Sequence, residues 1–82
     1  PSPVVALHRA VAVAEVDGPQ VALAVVDALP PVAGHLRHAV RADLLRRLDR
    51  AAEAVAAYDA AIELTGNEVE RAFLRARRSP LV

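Results

Sequence analysis

The sequence predicts an all-α fold of two antiparallel helix pairs followed by a C-terminal capping helix. Three observations predict it. Apolar residues recur at helical spacing, and no stretch alternates long enough to make a strand. Prolines and glycines punctuate the chain at intervals suited to helices. The first half also echoes the second at a fixed offset.

The first helix starts at Ser2-Pro3, where serine can cap free backbone N–H groups and proline is favoured at the first helical position. It runs to about Val16 and stops at Asp17-Gly18. Pro19 opens a second helix to about Leu29, ended by Pro30-Pro31, and Gly34 closes the linker. A third helix covers roughly His35 to Leu48. Asp49 is the expected cap of a fourth, which ends at Thr65-Gly66 through a left-handed glycine. Asn67 with Glu70 resembles a capping box and starts a fifth helix, fading at Ser79-Pro80.

Helical spacing places Ala54, Val55, Tyr58, Ala61 and Ile62 on one stripe of the fourth helix. The same spacing places Val69, Ala72, Phe73 and Ala76 on one stripe of the fifth. Tyr58 and Phe73 are the only aromatics, and both are expected to be large core side chains. Short connections make the first two helices neighbours, and likewise the third and fourth.

The echo has a period of 32 and pairs Arg9 with Arg41, Ala10 with Ala42, Val13 with Leu45, Asp17 with Asp49, Ala22 with Ala54 and Val26 with Tyr58. Two helix-turn-helix units at such spacing point to a tetratricopeptide-like array. Ala42, then Ala54, Tyr58 and Ala61, supply its small and large positions. Gly66 stands where that motif usually has proline, and the aromatic expected near the unit's start is missing. The reading is one domain over residues 1–82, with units at about 3–29 and 35–65 and a capping helix at about 67–78.

Composition narrows the functions. Ten arginines balance ten acids and there is no lysine, so a neutral chain offers little field to attract nucleic acid or an anionic membrane. Without cysteine there are no disulfides or thiolate sites, and a reducing, cytoplasmic setting fits. The apolar first segment is too short to span a bilayer, and Arg9 interrupts it. A chain opening on Pro1 reads as a fragment of a longer polypeptide.

Three stretches together carry a resemblance: "PSPVVALHRAVAVAE", "HAVRADLLRRLDRAAEAVAAYDAAIEL" and "NEVERAFL". In this order, from Pro1 to about Leu74, they resemble the C-terminal extension of one group of extracytoplasmic-function RNA polymerase sigma factors. His8 stands where that family is expected to have asparagine, and "RARRSPLV" departs from the usual ending. The resemblance implies a regulatory, non-enzymatic module that packs on or signals to upstream sigma regions. The DNA-binding and polymerase-binding regions are not in these 82 residues, so no direct promoter recognition is expected of them. A tetratricopeptide-like adaptor for a peptide or protein unrelated to transcription is the alternative.

No catalytic, cofactor-binding or metal site is expected. His35 and His38 share a helix face at i, i+3, and His8 lies far off in sequence, but none belongs to a recognised ligand pattern. Asp43 and Glu53 are conceivable acid and base, yet they read better as surface charges, Asp43 having Arg46 and Arg47 at ion-pair spacing. "RADLLRRLDR" and "RARR" lack an aromatic platform for bases. By the array resemblance the first helix of each unit lines a concave face, which places Leu36, Ala39, Asp43, Arg46 and Arg47 toward a partner. Val4, Leu7 and Val11 form one apolar face of the first helix, while Val5, Ala6, Val13 and Val16 spread apolar surface beyond it. That surplus predicts docking against upstream helices or a second copy of the chain.

Overall fold

The computed structural model describes residues 3–30 and 34–82. Five α-helices follow in order: α1 Pro3–Asp17, α2 Pro19–Asp27, α3 His35–Arg47, α4 Ala51–Leu64 and α5 Glu68–Arg78, with a 3₁₀ turn at Ser79–Leu81. No strand occurs among the described residues. The expected serine cap at Ser2 and the second proline of Pro30-Pro31 lie outside them.

α1 packs on α2 and α3 on α4; α3 also contacts both helices of the first pair, and α5 rests on α4. Each pair is a helical hairpin, and α3 joins the two pairs. The echo in sequence becomes an echo in burial: Ala10, Ala42, Ala22, Ala54, Val26, Tyr58 and Leu45 are all buried, and Val13 is half-buried. Among the described residues seven buried alanines allow close helix approach, while Leu7, Leu44, Leu45, Val26 and Tyr58 supply the bulk. Removing such large apolar side chains from water contributes about 1.5–3 kcal/mol each. Arg41 Nε donates to Asp27 Oδ1 at 2.8 Å, tying α3 to α2 on the surface.

The turns explain several departures from expectation. Gly18 is the single residue between α1 and α2, and its φ of 90° is one that residues with a Cβ rarely adopt. It also suits the residue before Pro19, which is steered away from helical geometry. α2 stops at Asp27, two residues short of Leu29, which packs partly against the core. Asp49 does not cap α4. It takes a positive φ of 59° and closes α3 instead: Asp49 N–H donates to Arg46 O at 3.1 Å, and Arg50 N–H to Leu45 O at 3.0 Å. This is a Schellman ending, with aspartate at the position glycine usually holds. Arg50 then becomes the first residue of α4's entry, without a side-chain cap.

The close of α4 also differs. Gly66 is not in the left-handed region; Thr65 turns the chain out at φ −76°, ψ 137°. Arg71 from α5 takes over the free carbonyls, its Nη2 donating to Thr65 O at 2.7 Å and its Nε to Ile62 O at 3.4 Å. Asn67 does cap α5, accepting from Glu70 N–H at 3.1 Å. The reciprocal half of a capping box is absent, because Asn67 N–H donates to Thr65 Oγ1 at 3.3 Å and the Glu70 carboxylate turns to His35.

Arg71 also accounts for the largest correction. The stripe Val69, Ala72, Phe73 and Ala76 does not face the core; all four are exposed, and Leu74 is the buried residue of α5. α5 is rotated by its polar anchors, Arg71 on the end of α4 and Arg78 Nε on Asp59 Oδ1 at 2.6 Å. Those anchors bring Leu74 inward. Tyr58 is buried as expected, whereas Phe73 is 55% exposed.

Candidate functional site

The rotation of α5 builds a groove. It encloses about 380 Å³ between α3 and α5, with one contribution from α1. Leu36, Ala39, Val40, Asp43, Leu44 and Arg47 come from α3; Glu70, Phe73, Leu74 and Arg77 come from α5. Val11 of α1 and Tyr58 of α4 complete the lining. The spacing 36, 40, 44 with 43 and 47 is one face of α3; 70, 73, 74 and 77 is one face of α5.

The floor is apolar and the rim is charged. Leu44, Leu74 and the Tyr58 ring are buried. At the rim, Asp43 Oδ1 accepts from Arg46 Nη2 at 2.6 Å. That bond raises the guanidinium's already high pKa further, more than partial burial lowers it. Arg46 lies against Tyr58, and neither its Nε nor the Tyr58 hydroxyl reaches a well-formed hydrogen bond. Glu70 Oε1 meets His35 Nε2 at 3.0 Å, linking the starts of α5 and α3. Arg47 has only a loose contact with Glu15, at 3.9 Å. The Arg77 guanidinium lies 5.1 Å from the centre of the Phe73 ring, within cation–π range.

The residues expected to face a partner thus divide. Leu36, Ala39, Asp43, Arg47 and Val11 line the groove. Arg46 does not line it, but is bonded to Asp43, which does. Leu7 is fully buried and belongs to the core, while Val4 is exposed at 44%. The buried stripe of α1 is Leu7, Ala10 and Ala14, one step round from Val4, Leu7 and Val11. Val4, Val5, Val11 and Val16 therefore remain on the outside. Phe73, Glu70 and Arg77 were not singled out as contacts by sequence; the i, i+4 pairing of Phe73 with Arg77 was the available signal.

Asp43 and Glu53 do not meet as acid and base. Each carboxylate is held by its own arginine, Glu53 by Arg50 through bonds of 2.8 and 2.7 Å. The Arg50 bonds lower the Glu53 pKa below its ordinary value, against a smaller desolvation effect. His8 is exposed on α1, apart from the His35–Glu70 pair. Among the described residues no three histidines, cysteines or carboxylates cluster as metal ligands, and no helix is long and apolar enough to cross a membrane. A second hollow, lined by Asp59, Ile62, Arg75, Arg78, Ser79 and Val82, lies among α4, the end of α5 and the C-terminal turn.

Among curated proteins, the chain is 48% identical over 77 residues to "Uncharacterized protein R00370" of Rhizobium meliloti (strain 1021). The match covers 92% of this chain but only 18% of that relative's length. No protein-family model matches the chain, and no solved structure does.

Proposed function

We propose that this chain is the regulatory, protein-interacting module of a bacterial extracytoplasmic-function RNA polymerase sigma factor, built from tetratricopeptide-like helix pairs. The observation that carries the interaction role is the groove on α1, α3 and α5. These are the alternate helices of the chain, the ones that line the concave face of a tetratricopeptide-like array. The sigma assignment rests on the resemblance of Pro1 to Leu74 to the C-terminal extension of that family. A relative more than five times the length of the match leaves room for sigma regions in the same polypeptide. The module works without catalysis or cofactor, in the cytoplasm, by packing on or signalling to those regions. It modulates initiation without touching promoter DNA itself.

The test is reconstituted transcription with core polymerase and the full polypeptide carrying this chain, with and without residues 1–82. Promoter-dependent transcript whose level changes on removal of the module is the expected result. A polypeptide that does not bind core polymerase, or equal output from both forms, overturns the sigma assignment. The groove alone equally suits an adaptor unrelated to transcription; a polypeptide that lacks polymerase binding yet holds a protein through the groove establishes that alternative.

A further inference from the structure

We propose that the groove receives an acidic amphipathic segment of a protein partner. This rests on reading the chain as an interaction module, and it names the chemistry of what the module holds.

The groove carries two acids and two arginines, but they are not equivalent. Asp43 is bonded to Arg46 at 2.6 Å and Glu70 meets His35 at 3.0 Å, so each carboxylate already has a partner within the chain. Arg47 has only Glu15 at 3.9 Å, and that carboxylate is largely solvated. Arg77 makes no ion pair among the described residues and is laid over Phe73. What the groove still offers is an apolar floor and two guanidiniums, one already oriented by an aromatic face. Guanidiniums of this kind bind carboxylates through paired donors. An exposed phenylalanine beside an arginine is the composition of an interface anchor. The complement is an apolar side chain for the floor, flanked by carboxylates for Arg47 and Arg77. A basic segment meets only carboxylates that already have a partner in the chain, and a nucleic acid finds an apolar floor in a neutral chain.

The experiment uses the 82-residue chain and two labelled synthetic peptides read by fluorescence anisotropy. One carries leucines at helical spacing flanked by glutamates; the other has lysines in place of the glutamates. The acidic peptide is expected to bind, more weakly as salt is added, and the basic one not to. Arg47→Glu and Arg77→Glu are each expected to weaken binding about tenfold or more. Arg75→Glu, on the opposite side of α5 in the second hollow, binds like the wild type. Circular dichroism checks each fold, and Arg47→Gln and Arg77→Gln replace any reversal that unfolds. Equal binding of both peptides, no binding of the acidic one, or indifference to Arg47 and Arg77 overturns the proposal. So does sedimentation showing a dimer that the groove variants dissociate, since a second copy then fills the groove. Failure here leaves the transcription assay, and hence the sigma assignment, to be judged on its own result.

Discussion

Truncating the two aromatics separately should give very different losses of stability. An aromatic side chain carries about 150–250 Å² of burial, at about 25 cal/mol per Å². Tyr58 is 2% exposed and lines the groove floor, so nearly all of that area is at stake. Tyr58→Ala should cost about 3–5 kcal/mol, the range for aromatic truncations in cores. Phe73 is 55% exposed and keeps less than half its area from water. Phe73→Ala should therefore cost less, about 1–3 kcal/mol. A chain of 82 residues has a total stability of about 4–12 kcal/mol, so Tyr58→Ala can approach outright unfolding. Tyr58→Leu keeps most of the volume and provides a folded point on the same scale. The assay is urea denaturation followed by far-ultraviolet circular dichroism, with thermal midpoints as a check; each 1 kcal/mol corresponds to about 4–8 °C in a domain of this size. A Phe73→Ala loss equal to or larger than that of Tyr58→Ala would refute the rotation of α5 and the groove it opens.

Asp49→Gly should stabilise the chain by about 0.5–1 kcal/mol, because glycine takes the left-handed φ without a Cβ penalty; a loss in urea denaturation would mean the aspartate contributes something the Schellman turn does not require. The depressed Glu53 pKa gives stability that is present above its ordinary value of 4.5 and lost as pH falls through the lower folded value. Glu53→Gln should flatten that part of the acid limb of a pH-dependent melting profile, and an unchanged limb contradicts the Arg50–Glu53 account. The exposed valines of α1 should make the isolated chain associate as its concentration rises, and Val5→Glu with Val16→Glu should suppress it. A strict monomer by sedimentation at high concentration removes any message from those valines.

Helix number, helix order and most of the α4 stripe were legible because proline, glycine and apolar spacing act locally; within that stripe Val55 is only half-buried, and Ala57 is buried although it was not placed there. The period of 32 was informative because echoed positions such as Ala10 and Ala42, or Ala22 and Ala54, reach the same burial. Less legible was anything set by a contact distant in sequence. Val69, Phe73 and Ala76 look like a core stripe, yet Arg71 reaching the carbonyls of Ile62 and Thr65 fixes α5 in another rotation. Asp49 has the chemistry of a helix cap, but so short a connection required a left-handed residue there first. Within α1, Val4, Leu7 and Val11 share helical spacing as well as Leu7, Ala10 and Ala14 do; only packing against α2 and α3 selects the alanines. On α3, Leu36, Asp43 and Arg47 were readable as a surface, while their counterparts Phe73 and Arg77 depended on the turn of α5.

The partner contact proposed for the face shared by α1, α3 and α5 can be mapped directly. Backbone amide chemical shifts of the labelled chain, recorded while the acidic leucine-bearing peptide is titrated in, test it residue by residue. The account predicts perturbations concentrated at Val11, Leu36, Asp43, Arg47, Phe73 and Arg77. Perturbations centred instead on Ile62, Arg75 and Val82, or on the outward valines Val5 and Val16, would contradict it.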